Sequence, residues 1–130
     1  MGATSLHFSQ AEMCCPCCAV NLCQQSLLDA LEAFRAIAGK PVIVTSGYRC
    51  PEHNKAVGGA KNSQHTQGLA ADIKVTGLTA AQLEAIARQV PAIHGIGRND
   101  HRGFLHVDTR TLKAQWCYEL GGHQCPYYST

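Results

Sequence analysis

The stretch GLAADIKV, residues 68–75, decides how this chain is organised, because it predicts a turn that enters a β-strand. Asp72 lies in the middle of that strand, and His65 stands in the loop before it. A second stretch, GFLHVD at residues 103–108, predicts another strand, and it carries His106. If the two strands lie side by side, Asp72 and His106 share one face and His65 reaches them from the loop.

Two imidazoles and a carboxylate make a set of three ligands that Zn²⁺ accepts. Catalytic zinc sites keep a fourth position for water or substrate, whereas structural sites use four protein ligands. The sequence therefore predicts one catalytic Zn²⁺, with His65, Asp72 and His106 as its ligands.

Helices and strands are predicted around this pair of strands. Residues 24–38 have apolar side chains at helical spacing, and Gly39 follows as a C-terminal cap. The buried stripe of this helix is predicted to contain Leu27, Leu28, Leu31, Phe34 and Ile37. Residues 41–45 predict a short buried strand, and residues 51–57 predict a turn or a short helix.

The second long helix is predicted to begin after Thr79, whose hydroxyl can form a capping box with Gln82, and to stop at Pro91. The last hairpin begins at residues 95–97. Helices and short strands follow one another without a regular β-α-β rhythm. We therefore expect an α+β fold in which a small antiparallel sheet, flanked by helices, carries the zinc site on one face.

Length and composition indicate one globular domain over residues 1–130, with 45% hydrophobic and 15% charged residues. It would include a cysteine-rich N-terminal segment, residues 1–23, and an irregular cysteine-containing tail, residues 112–130. The formal net charge of +2 is too small to indicate nucleic acid as a partner. We see neither a signal peptide nor an apolar run of about 20 residues, so we expect no membrane partner, and we expect a monomer.

The chain contains eight cysteines, which are Cys14, Cys15, Cys17, Cys18, Cys23, Cys50, Cys117 and Cys125. The N-terminal segment has overlapping Cys-x2-Cys pairs, which are compatible with disulfides or with a second, structural zinc. Such a zinc would use Cys14, Cys17, Cys18 and Cys50. We favour disulfides instead, with Cys50 joined to the N-terminal cluster and Cys117 joined to Cys125.

Several motifs together resemble the zinc D-Ala-D-Ala carboxypeptidase family, the peptidase M15-like proteins with the hedgehog-type metallopeptidase fold. They are Ser46-Gly47-Tyr48-Arg49, Asn54, Val57-Gly58-Gly59-Ala60, Asn62-Ser63-Gln64-His65, Gly68, Ala70-Ala71-Asp72, Gly95-Ile96-Gly97 and Phe104-Leu105-His106-Val107-Asp108. Their order and spacing are those of the family, and the chain is most similar to its short phage and bacterial branch. The match runs from about residue 8 to residue 110.

The resemblance implies roles for three further residues. Arg49 would border the substrate and stabilise the developing oxyanion, because a guanidinium is permanently charged and can fork onto a carbonyl or carboxylate. Ser63 matches the substrate-binding serine of the family, and Tyr48 belongs to the same substrate-binding motif as Arg49. The alternatives are a surface ion pair between Arg49 and Glu52, and a loop serine that satisfies local backbone groups.

The general base is where the sequence departs from better-known members. Several relatives place a Glu or Asp three residues before the last histidine ligand, where this chain has Gly103, and others place a histidine where it has Phe104. Hedgehog-type relatives hold an acidic residue six positions before the ligand, and here that residue is Asp100. We predict Asp100 as the catalytic base, with His101 and Asp108 as alternatives. Asp108 also suits a hydrogen bond to a ligand histidine.

The resemblance implies a zinc-dependent peptidase that cleaves peptidoglycan stem peptides, either as a D-Ala-D-Ala carboxypeptidase or as a cell-wall endopeptidase of the endolysin type. Such an enzyme acts on the cell wall and would be released from the cytoplasm of a phage-infected bacterium. The competing hypotheses are a non-catalytic zinc-containing module that binds peptidoglycan or a protein, and a component of a phage tail.

Overall fold

The computed structural model describes residues 5–16, 18, 20–57 and 63–117. In chain order, the helices and strands of these residues are α1 (Gln10–Met13), α2 (Gln25–Ala38), β1 (Ile43–Ser46), α3 (Pro51–Ala56), a 3-10 helix (Gln64–Gln67), β2 (Ala70–Lys74), α4 (Ala80–Ala87), β3 (Gly95–Asn99), β4 (Phe104–Asp108) and β5 (Ala114–Cys117). The α+β class predicted from the sequence is confirmed.

One five-stranded sheet, in the order β1-β2-β4-β3-β5, organises these elements. The pairs β1–β2, β2–β4 and β3–β4 are antiparallel. In the central pair Asp72 lies opposite His106 and Ala70 lies opposite Asp108. Residues opposite one another in a ladder project from the same face of the sheet. The predicted juxtaposition of Asp72 and His106 is therefore present.

The long helix α2 forms because its apolar residues recur at helical spacing, and Gly39 ends it in the left-handed conformation (φ 67°). Leu27, Leu28, Leu31 and Phe34 are buried as predicted, but Ile37 is 42% exposed. Ile37 lies in the last turn of α2, where the buried stripe has run out. The prediction for Ile37 was therefore wrong.

Helix α4 confirms the predicted capping box. The Thr79 hydroxyl accepts from the Gln82 backbone N–H, and the Gln82 side chain accepts from the Thr79 N–H. The helix ends at Ala87, a little before Pro91, and contacts β3 and β4. Its buried residues join those of α2 in the hydrophobic core against the sheet.

Two strand predictions need correction. The strand predicted as buried near residues 41–45 is the edge strand β1, in which Ile43 is 50% exposed, because within the described residues only β2 pairs with it. The tail was predicted to be irregular from residue 112, yet Ala114–Cys117 forms β5. Because β5 pairs parallel with β3, the sheet is mostly antiparallel rather than wholly so.

The N-terminal segment packs onto the rest of the domain through Phe8, Met13, Cys15 and Cys23, all of them buried. None of Cys14, Cys15, Cys18, Cys23 and Cys50 forms a disulfide, although the Cys15 and Cys50 sulfurs are 3.6 Å apart. Cys17 and Cys125 lie outside the described residues, so the predicted Cys117–Cys125 pairing does too. No helix among the described residues has the length and apolar character of a membrane span.

Candidate metal centre

His65, Asp72 and His106 come together as the sequence predicts. One ligand atom from each residue lies within 4.8 Å of the other two. The Asp72 Oδ1 atom is 3.2 Å from His65 Nε2 and 3.0 Å from His106 Nδ1. The three residues are buried, and the two rings meet edge to face with their centroids 5.1 Å apart.

Each ligand is placed by a different piece of local structure. Asp72 and His106 are opposite one another on β2 and β4. His65 lies in the 3-10 helix, whose N-cap Ser63 accepts a hydrogen bond from the His65 N–H through its Oγ. Gly68 ends that helix in the left-handed conformation (φ 72°), which turns the chain directly into β2.

Hydrogen bonding fixes where the proton of His65 resides. Its Nδ1 lies 2.8 Å from the carbonyl oxygen of Gly47, which can only accept, so Nδ1 carries the proton. In the neutral ring, Nε2 is then an unprotonated acceptor, and it faces Asp72. A lone pair that faces a carboxylate oxygen is satisfied by a cation between the two atoms, either a proton on Nε2 or a metal ion.

The same reasoning applies to His106, with the ring nitrogens exchanged. Its Nε2 lies 2.7 Å from the Asp108 carboxylate and therefore donates, which leaves the Nδ1 lone pair directed at Asp72. When both rings are neutral, two imidazoles and one carboxylate thus converge with acceptor atoms only. This donor set fits Zn²⁺, because its ligands must be deprotonated nitrogens and oxygens.

The charge state of Asp72 agrees with a site for a cation. Burial raises the pKa of this carboxyl, but when no metal is bound and the His106 and His65 rings are protonated, their hydrogen bonds and charges outweigh burial and hold the pKa well below its usual range. Asp72 is therefore ionised at neutral pH. Its other oxygen, Oδ2, lies 3.6 Å from the Arg49 guanidinium.

Arg49 lies beside the candidate ligands. Its Nε donates to Ser46 Oγ at 3.1 Å and its Nη1 donates to Asn54 Oδ1 at 3.1 Å. The backbone N–H of Arg49 also donates to the His65 carbonyl. The side chain is thus held at the edge of the cluster by neutral groups and by Asp72, and the surface pair with Glu52 is not among its contacts in the described residues.

Asp108 is fully buried and hydrogen-bonds to the candidate ligand His106, a contact that one of its two predicted roles requires. Arg110 donates to the same carboxylate from its Nε at 2.8 Å and from its Nη2 at 2.7 Å. Burial raises the pKa of Asp108, but His106 and Arg110 lower it by more, so the carboxyl stays ionised. Gly95 allows this packing, because a Cβ atom there would overlap the Asp108 carboxylate.

The described contacts of Ser63 and Tyr48, two of the predicted substrate-binding residues, are with backbone groups of the protein. Ser63 serves the local backbone, since it caps the 3-10 helix and its carbonyl accepts from Thr66. Tyr48 is 5% exposed, and its backbone N–H donates to the Met13 carbonyl. Substrate binding by Ser63 and Tyr48 stays a prediction.

Asp100 lies at the tip of the β3–β4 hairpin. Both of its carboxylate oxygens accept from Arg98 Nε, at 2.8 and 3.1 Å, and Arg98 also reaches Glu84 of α4 at 2.9 Å. His101 follows in the same turn and is exposed. The described contacts of Asp100 thus join it to Arg98 rather than to the three candidate ligands.

Three supporting residues, Gly47, Gly95 and Arg110, were missed by sequence reasoning. The Gly47 carbonyl accepts a hydrogen bond from the His65 ring, and a Cβ atom on Gly47 would come within 2.6 Å of the Met13 oxygen. The local sequence of Gly47 and Gly95 gives no sign of these contacts, because each depends on a partner brought close by the fold. For Arg110, the short spacing to Asp108 was the available signal.

A family model described as Peptidase M15 matches residues 6–108, which contain every candidate ligand. The chain belongs to the peptidase M15 family. This confirms the resemblance seen in the sequence motifs.

Curated relatives fit this M15 assignment. The chain is 33% identical over 90 residues to the peptidoglycan L,D-endopeptidase MepK of Escherichia coli (strain K12), a match that covers 64% of this chain and 49% of MepK. It is 35% identical over 97 residues to the zinc D-Ala-D-Ala carboxypeptidase of Streptomyces albus G, covering 67% of this chain and 36% of that enzyme. The chain thus spans half or less of the length of these relatives.

Proposed function

We propose that this M15 protein is a zinc-dependent peptidase that cleaves peptidoglycan stem peptides. The observation that carries the proposal is the convergence of His65 Nε2 and His106 Nδ1, both unprotonated when neutral, on the Asp72 carboxylate. The names of the two relatives, an endopeptidase of peptidoglycan and a D-Ala-D-Ala carboxypeptidase, support the substrate class.

His65, Asp72 and His106 would hold the metal. A bound Zn²⁺ with three protein ligands supplies Lewis-acid polarisation of a carbonyl and lowers the pKa of water toward about 7. The chain contributes the fixed orientation of the ligands. The Gly47 carbonyl and the Asp108 carboxylate each accept a hydrogen bond from one imidazole N–H, so neither ring can turn its lone pair away without losing a buried hydrogen bond.

Arg49 would bind the substrate next to the metal ligands. It is 13% exposed at its side chain, so it reaches the surface of the site while four protein groups hold it. A guanidinium there can fork onto the terminal carboxylate of a stem peptide or onto the oxygen of the scissile carbonyl. Either contact places the peptide against the centre with little rearrangement of the protein.

Asp100 is the proposed general base, as the sequence pattern suggests. To accept a proton it must give up its hydrogen bonds from Arg98, whose charge opposes protonation of the carboxylate. Asp108 is poorly suited to that task, since it is fully buried and shared between His106 and Arg110. A second candidate function, a non-catalytic module that binds peptidoglycan, gains its support from this engagement of Asp100.

Mass spectrometry of purified peptidoglycan fragments tests the proposal. The full chain, loaded with excess Zn²⁺ and freed of unbound metal, is incubated with a pentapeptide fragment ending in D-Ala-D-Ala and with a cross-linked dimer. Loss of terminal D-Ala indicates a carboxypeptidase, and conversion of dimer to monomers indicates an endopeptidase. His106→Ala should be inactive, while His101→Ala serves as a matched histidine control for zinc loading. Zinc-loaded protein that binds the fragments without cutting either would favour the binding module instead.

A further inference from the structure

A second group of potential metal ligands lies in the described part of the chain, away from the histidine cluster. The Sγ atoms of Cys15, Cys18 and Cys50 all lie within 4.8 Å of one another. Cys15 and Cys50 are buried, and Cys18 is exposed. Cys15 and Cys18 form a Cys-x2-Cys pair in the N-terminal segment, and Cys50 comes from the loop before α3.

The spacing of the sulfurs suits a shared cation. In a tetrahedral site with Zn–S bonds of about 2.3 Å, the edge between two sulfurs is about 3.8 Å. The Cys15 and Cys50 sulfurs are 3.6 Å apart. A disulfide would need them at about 2.0 Å and would leave the third thiol, Cys18, without a role in the cluster.

Backbone amides point at two of these sulfurs. The N–H of Cys50 donates to Cys15 Sγ at 3.4 Å, and the N–H of His53 donates to Cys50 Sγ at 3.4 Å. Hydrogen bonds of this kind stabilise the negative charge of thiolates, which are the form that binds metal. The cluster thus contains three soft ligands and part of the hydrogen bonding that a metal–thiolate site uses.

We propose that Cys15, Cys18 and Cys50 bind a second Zn²⁺ with water in the fourth position, and that this zinc holds the N-terminal segment against the loop before α3. The sequence had suggested Cys14, Cys17, Cys18 and Cys50 for such a zinc. The Cys14 thiol instead donates to the Ala11 carbonyl at 3.4 Å and lies outside the cluster, and Cys17 lies outside the described residues.

Such a zinc would tie the N-terminal segment to the loop that serves the histidine site. In that loop the Tyr48 N–H donates to the Met13 carbonyl, and the Gly47 carbonyl accepts a hydrogen bond from the His65 ring. Arg49 directly precedes Cys50 in the same loop. A metal at Cys50 would hold one end of residues 47–50, and Met13 would hold the other. The thiol site would therefore stabilise the position of Arg49 without contacting substrate.

Metal content of the full chain, purified with a reductant that does not chelate zinc, tests this proposal. We expect two zinc ions per chain in the parent and one in Cys50→Ser. We expect one in His106→Ala as well, because that variant keeps the thiol site. Cys23→Ala is the matched control, since Cys23 is a buried thiol of the same segment outside the cluster, and it should keep both ions.

Cobalt identifies the ligands independently of activity and of the Cys50 variant. Co²⁺ bound by thiolates gives an intense sulfur-to-metal charge-transfer absorption in the near ultraviolet, which histidine and carboxylate ligands do not give. His106→Ala loaded with Co²⁺ should show this band, and adding Cys15→Ser should abolish it. A parent chain with a single zinc that disappears in His106→Ala overturns the proposal. So does a Cys15–Cys50 disulfide that persists under the same reductant.

Discussion

His106 donates its Nε2 proton to the Asp108 carboxylate at 2.7 Å, two positions along the same strand. Alternate residues of a strand share a face, so β4 supplies both a candidate ligand and the group that orients it. Asp108 has no exposed surface, and Arg110 donates to both of its carboxylate oxygens. The direction of the His106 lone pair is therefore set by a buried carboxylate rather than by the ring itself.

Asp108→Asn should weaken zinc binding while the fold persists. An amide can donate to Nε2 as well as accept from it, so the variant permits the ring tautomer whose proton sits on Nδ1 and blocks the ligand position. The loss expected for such a partner is about 10- to 100-fold in affinity. Competition with a chromophoric chelator measures it, with Asp100→Asn as the carboxylate control. Equal affinities for the two variants would remove Asp108 from this role.

Alanine at His65, Asp72 or His106 should abolish tight zinc binding at the histidine site, because an incomplete ligand set remains. Metal content after dialysis against a weak chelator measures this. The parent and His101→Ala, which alters an exposed histidine, are dialysed beside the three variants. Any variant that retains the zinc of the parent would lose its place in the ligand set.

Arg49→Lys should keep zinc and lose most activity, since lysine keeps the charge but cannot reproduce the planar fork that contacts Ser46, Asn54 and Asp72. Loss of one transition-state donor costs about 10²- to 10³-fold in rate. Turnover of a pentapeptide fragment by the zinc-loaded variant gives the measurement. Arg102→Lys, in the exposed hairpin turn, controls for the substitution itself.

The cluster of candidate ligands and the strands that carry it could be predicted from sequence because the information is local. A histidine before a glycine turn, and two short strands with alternating apolar residues, suffice to suggest His65, Asp72 and His106. The capping box at Thr79 is local in the same way. Strand order is not local. β1 has the β-branched composition of a buried strand, and only the sheet topology shows that it lies at an edge.

Asp100→Asn decides the role of the proposed base. If Asp100 accepts a proton during catalysis, turnover should fall by about 10²- to 10⁴-fold with the metal content unchanged, and the acidic limb of the pH profile should change. Arg98→Lys is measured alongside. This variant removes the guanidinium that donates to Asp100 but keeps a positive charge at residue 98. Near-parental turnover by Asp100→Asn would exclude Asp100 as the base.

Glu32 should make the attachment of the N-terminal segment sensitive to acid. Burial raises the pKa of Glu32, but hydrogen bonds from Ser5 and His7 outweigh it and lower the pKa below its usual value. The carboxylate therefore contributes stability above the unfolded pKa, near 4.3, and this contribution is lost as the pH falls through the folded pKa.

Glu32→Gln should lower the free energy of unfolding by about 1 kcal/mol at pH 7, a modest value because solvent screens this half-buried group. The difference from the parent should shrink toward pH 3. Urea unfolding at both pH values measures it, and Asp29→Asn, on the exposed side of the same helix, is the control. An effect equal at pH 7 and pH 3 would contradict the assignment.

The supporting residues of the site were harder to predict for a related reason. A histidine such as His65 is easily noticed in a sequence. The carbonyl that accepts a hydrogen bond from its ring belongs to Gly47, a residue with no side-chain functional group. Likewise, Asp100 stands at a family position for a base, but its pairing with Arg98 and through it with Glu84 depends on the packing of α4 against β3.

The contact between Gly95 and Asp108 has an evolutionary consequence. Because the carboxylate occupies the space where a Cβ atom of residue 95 would stand, no side chain can be gained at that position while the buried aspartate remains. The two positions should therefore change together among M15 proteins, and a homologue with alanine or a larger residue at position 95 should lack the aspartate. Such a homologue would need another hydrogen-bond acceptor for the histidine that corresponds to His106. The residue at position 95 on β3 would then indicate how β4 orients its candidate metal ligand.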